Sequence, residues 1–108
     1  MSHVCHAWNC AKVVAPEFLF CPPHWRMTPR VTQRLVWALY RPGQEIDKRP
    51  TRAYLIIQAY AVTEVAIKDG LDPEKAVGEI LWPVVERYQS TITDARELAL
   101  LRKVLPRL

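Results

Sequence analysis

Cys5 to Trp25 reads CHAWNCAKVVAPEFLFCPPHW, and it holds all three cysteines and two of the three histidines of the chain. Cys5 and Cys10 form a Cys-x4-Cys pair, and eleven residues later Cys21 and His24 form Cys-x2-His. Two close ligand pairs joined by a loop suit a tetrahedral metal site, because each pair grips the ion from one turn while the linker folds over it. Thiolates and a neutral imidazole are ligands that zinc prefers, and four protein ligands leave no open position for a reacting water. Cys5, Cys10, Cys21 and His24 are therefore expected to form a structural zinc site. His3 and His6 are spare candidates beside the first pair, and His6 in place of Cys5 is an alternative shell. Three buried, inert thiols would be the plain alternative; the clustering argues against it. The odd cysteine count argues against a disulfide framework.

Working outward, Ala11–Val14 and Phe18–Phe20 read as two strands of a hairpin around Pro16-Glu17. Pro22 and Pro23 suit the first turn of a helix that presents His24. Thr28-Pro29 reads as an N-cap and first position for a helix ending near Tyr40, stopped by Arg41-Pro42-Gly43. Val31, Leu35, Trp37, Ala38 and Leu39 supply its apolar side. Thr51 should cap the longest helix, from Arg52 to Asp69, which Gly70 closes. That helix is apolar nearly all round, so it is either central to a bundle or shared across an oligomer interface. Asp72-Pro73 opens another helix, which Trp82-Pro83 kinks or breaks. Asp94 with Glu97 starts a last helix reaching about Leu105, lined by Leu98, Leu101 and Leu105.

The fold expected is α+β, mostly α: a treble-clef-like zinc module with a β-hairpin, then a bundle of three to five helices. Residues 1–43 would carry the zinc module and its basic helix, and 44–108 the helical region. At 108 residues with 50% hydrophobic content, the chain can bury a core. It shows no leader pattern and no apolar run near the ~20 residues that cross a bilayer, so a cytoplasmic, thiol-reducing location is expected.

The net charge is +4, unevenly spread. Arg26, Arg30, Arg34, Arg41, Lys48, Arg49 and Arg52 face only Glu45 and Asp47 between positions 26 and 52, whereas 53–100 is acidic. Arg30, Arg34 and Arg41 fall four and seven residues apart, on one face of the basic helix, with Arg26 extending it toward the metal. Such a stripe, with Arg52 nearby, suits phosphate contact; a solvated or protein-facing surface is the alternative. Trp37 and Trp82 read as core, Trp25 as a cover for the metal, and Trp8 as the exposed one. Isolated glycines exclude a phosphate loop. No histidine or asparagine follows His24, which removes the residues a metal nuclease would need. No enzyme is expected.

Cys5, Cys10, Pro16, Cys21, His24, Trp25, Pro29 and the Tyr40–Gln44 run YRPGQ together resemble a group of short zinc-binding proteins encoded in tailed phages and prophages. The resemblance spans about residues 5–68. It implies a zinc module and a mobile-element origin, and no mechanism. Two functions fit: a nucleic-acid-binding accessory protein using Arg26, Arg30, Arg34, Arg41 and Arg52, or a protein-binding module, homo-oligomeric or directed at a host factor. No membrane partner is expected.

Overall fold

The structure, a computed structural model, describes residues 3–108. It is mostly helical, with a two-stranded antiparallel hairpin at the amino-terminal end, as the sequence leads one to expect. The hairpin itself is paired differently. Strand β2 (Val13–Val14) bonds back to β1 (His3–Val4), with His3 opposite Val14 and Val4 opposite Val13. Phe18–Phe20 is not a strand. Pro16 lacks an N–H, and the chain turns there with the Phe18 N–H bonded to the Ala15 carbonyl at 3.1 Å. The hairpin thus encloses the first ligand loop instead of following it.

Helix α1 (Pro22–Met27) starts on its two prolines, and α2 (Arg30–Leu39) follows. Thr28 does not cap α2: its hydroxyl donates back to the His24 carbonyl at 3.1 Å, closing α1. The one-turn α3 (Gln44–Asp47) lies within the polar connection to the next helix and is flanked by Gly43 and Lys48, both at positive φ. Helix α4 (Arg52–Lys68) is capped by Thr51, whose oxygen accepts from the Tyr54 N–H at 3.1 Å. It ends in a Schellman turn, in which the Leu71 N–H reaches the Ala66 carbonyl and Gly70 takes φ 105°. Asp72 caps α5 (Pro73–Ala76) through the Lys75 N–H, and Asp94 caps α7 (Ala95–Leu101) through the Glu97 N–H. Helix α7 stops at Leu101, short of the Leu105 expected.

Trp82-Pro83 does not break its helix. A π-helical turn, Val77–Leu81, joins α5 to α6 (Trp82–Tyr88), and the Trp82 N–H bonds to the Val77 carbonyl. The proline ring would crowd the carbonyl four residues back in a regular helix, and the wider turn relieves this without ending the helix.

Helix α4 is the centre. Ile56, Ile57, Ala61, Val65 and Ala66 are fully enclosed, packed by α2 on one side and by α5, the π turn, α6 and α7 on others. Most of its apolar surface is taken up inside the chain, with Leu55, Tyr60, Val62 and Ile67 left half-buried. One buried cluster runs without a break from Cys5 to Leu101.

Helix α2 packs by Leu35 and Leu39, as expected, and by Thr32 and Val36 in place of Val31 and Trp37. The Thr32 hydroxyl donates to the Glu64 carboxylate at 2.7 Å, giving a polar side chain a place inside, while burial raises the Glu64 pKa. Val31 and Trp37 consequently face outward, Trp37 at 46% exposure; Trp82, at 47%, is likewise not a core residue.

Truncating Ile56 to Ala should cost about 2–5 kcal/mol in urea unfolding at fixed metal loading. Ile46→Ala, at a side chain 73% exposed on α3, should stay within about 0.5 kcal/mol.

Candidate metal centre

Each ligand is positioned by local backbone geometry. In the first loop, the Cys5 N–H bonds to the Lys12 carbonyl at 2.7 Å and the Cys10 N–H to the Ala7 carbonyl at 3.2 Å. Asn9, at φ 60°, supplies the left-handed residue that turns the chain back toward Cys10. On the second side, Cys21 precedes α1 as its N-cap and His24 sits one turn along, so both face the same point. The prolines at the first two helical positions fix that turn.

Cys5, Cys10, Cys21 and His24 converge, their ligand atoms all within 4.8 Å of one another. His24 Nδ1 lies 3.1 Å from Cys21 Sγ and 3.8 Å from Cys5 Sγ. Ligands at ordinary metal–sulfur and metal–nitrogen lengths stand roughly 3.5–3.8 Å apart on the edges of a tetrahedron, so the cluster fits a metal ion with slight adjustment. Cys5 and Cys21 are buried, and Cys10 and His24 half-buried. The Cys21 N–H points at Cys5 Sγ at 3.2 Å, a donor that stabilises a thiolate. His3 and His6 stand outside the cluster: their rings pack against each other at 4.9 Å, and His6 Nδ1 lies 3.5 Å from the Gln58 amide.

The thiols of the first pair are shifted in opposite directions. Burial pushes the Cys5 thiol up to about 11, whereas the Lys12 backbone N–H lowers Cys10. A metal must displace a proton from Cys5 at neutral pH, so affinity should fall as the pH drops and protons compete for the ligands.

Asp69 completes the arrangement, and nothing in the sequence reading pointed to it. Its Oδ2 lies 3.0 Å from His24 Nε2, which fixes the tautomer that carries the proton on Nε2 and turns Nδ1 toward the thiols. Asp69 is the C-cap residue of α4, 45 positions away. The one clue available was its position: a carboxylate at the carboxyl end of a helix opposes the helix dipole, so it calls for another role. The neighbouring Lys68 donates to the Met27 carbonyl at 2.6 Å, so the end of α4 grips α1 twice.

The arginines are not all alike. Arg26, Arg30, Arg34 and Arg52 are exposed, and none has a carboxylate within ion-pair distance among the described residues. Arg41 lies beyond the end of α2 and does not continue its face. Its Nη2 binds the Asp47 carboxylate, 2.6 Å from Oδ2, and its Nε donates to the Arg49 carbonyl. The half-buried Trp25 meets the ring of Trp37, as do Phe18 and Tyr40.

Asp69→Asn should leave metal stoichiometry intact but weaken affinity about 10- to 100-fold in a competitive chelator titration. Cys21→Ser should lower affinity further and loosen the amino-terminal segment, read as faster amide exchange over residues 3–28. Comparison with known proteins returned no matching family model, no matching curated protein and no matching solved structure.

Proposed function

We propose that the chain is a small zinc-stabilised nucleic-acid-binding protein, an accessory factor of a phage or prophage acting on phage or host processes in the bacterial cytoplasm. The donor set supports zinc: three sulfurs and one imidazole nitrogen, all within 4.8 Å of one another, are the ligand types it prefers. Four protein ligands would leave no open position on the ion, which supports a structural role for it, and we assign the chain no reaction. The phage assignment rests on the sequence motifs alone.

The observation that carries nucleic-acid binding is the outer face of α2. Arg30 and Arg34 stand one turn apart, exposed and without an acidic partner, on the side away from the buried Thr32, Leu35, Val36 and Leu39. Arg26 on α1 adds a third such guanidinium, and Arg52 opens α4 with a fourth. Uncompensated guanidinium groups on a fixed surface neutralise phosphates and release counterions. Arg41 contributes less, because Asp47 already balances its charge.

The protein-binding reading is favoured by a different observation, the exposed apolar side chains of Phe18, Val31 and Trp37. Co-purification from host cells, scored for both protein and nucleic acid, separates the two.

Elemental analysis should find a single zinc per chain. Affinity for DNA or RNA should fall steeply with rising salt, and Arg30→Glu with Arg34→Glu should abolish binding while zinc content holds. Absent or salt-insensitive binding at low ionic strength would overturn the assignment.

A further inference from the structure

An apolar groove of about 480 Å³ opens beside α2, between that helix and the segment that follows β2. Phe18, Trp25, Trp37 and Tyr40 line it, and Glu17 is its one charged lining residue. The volume lies within the roughly 300–1,000 Å³ usual for small-molecule pockets. Trp37 is the ring the others meet, nearly perpendicular to Phe18 (90°) and Trp25 (76°) at 6.5 Å, and tilted at 64° to Tyr40 at 5.4 Å. Phe18 and Trp37 remain about half exposed, so ring surface is open to a ligand. Perpendicular neighbours form corners in which a flat ring lies on one face and abuts the next edge.

The groove and the cationic face share a helix. At 3.6 residues per turn, Arg30, Arg34 and Trp37 fall within about 60° of the α2 circumference. A ligand with its ring in the groove therefore passes its attached backbone across unpaired guanidinium groups.

We propose that this groove takes an unpaired base, making the protein a single-strand binder with phosphates on Arg30 and Arg34 and a base stacked on Trp37. The proposal rests on the nucleic-acid reading of the α2 face. A duplex holds its bases in the stack and cannot present one to the groove; a single strand can. Glu17 sets the orientation, since a carboxylate repels phosphate and accepts hydrogen bonds from base amino groups.

The test is fluorescence anisotropy with labelled oligo(dA), alone and annealed to oligo(dT), at one low salt concentration. The wild-type protein should favour the single strand. Trp37→Ala should weaken oligo(dA) binding about 5- to 150-fold while changing duplex binding less than about twofold. Phe18→Ala should act in the same direction, with retained metal stoichiometry showing that both variants are folded. Equal affinity for the two forms, or unchanged oligo(dA) binding in both variants, overturns the groove assignment and leaves the arginine face standing. Failure to bind either form removes both. Concentration-dependent mass in light scattering that Trp37→Ala abolishes would assign the groove to a second copy of the chain and overturn the proposal.

Discussion

The convergence of three sulfurs and one imidazole is the constraint on which the amino-terminal quarter depends. Residues 3–28 contain two strands of two residues each and one six-residue helix with no buried side chain. So little regular hydrogen bonding cannot hold a chain segment by itself, and segments this short ordinarily need a metal or a cross-link. The four ligands supply the missing closure. They tie the loop inside the hairpin to the start of α1, and Leu19, Phe20 and Cys21 then join the same buried cluster as the helices.

Helix α4 turns that local closure into a property of the whole fold. Its small residues, Ala53, Ala59, Ala61 and Ala66, are buried and let neighbouring helices approach closely. Its far end carries Lys68 and Asp69 onto α1, one to a backbone carbonyl and the other to the ligand histidine. The histidine is thus held from both sides, by its own helix turn and by a carboxylate from the core helix. The α2 face is oriented by the same helix, through Thr32 and Glu64. Metal centre, core and cationic surface share one support.

Three of the four helix caps were legible in the sequence, Thr28 being the exception because its hydroxyl turns back to the His24 carbonyl. Thr51, Asp72 and Asp94 cap helices as read, because a cap needs only an oxygen and an N–H two or three residues on. The ligand spacing was legible for the same reason: each pair is set by a single turn. What else was not legible depended on distant partners. His3–Val4 is too short to show a strand pattern, so the partner of Val13–Val14 could be found only in three dimensions. Trp37 reads as core by composition, yet Thr32 takes an inward position instead, where its hydroxyl finds Glu64, 32 residues on. Asp69 lies 45 residues from His24, and no periodicity links them. Arg41 fits a helical face only if the helix continues, and Asp47 draws its guanidinium back over the loop.

The wide turn ahead of Pro83 also sets the angular phase of its helix. Ala76, Leu81 and Val85 are all buried, yet the first two are five residues apart, a step that would leave them about 140° out of line in a regular helix. The extra residue absorbed between Val77 and Leu81 brings them back onto one side, facing α4. Helix length here is a matter of register: winding that turn regularly with all its residues kept would point half the helix away from its neighbour, whereas removing one residue would restore ideal geometry with the three side chains still on one side.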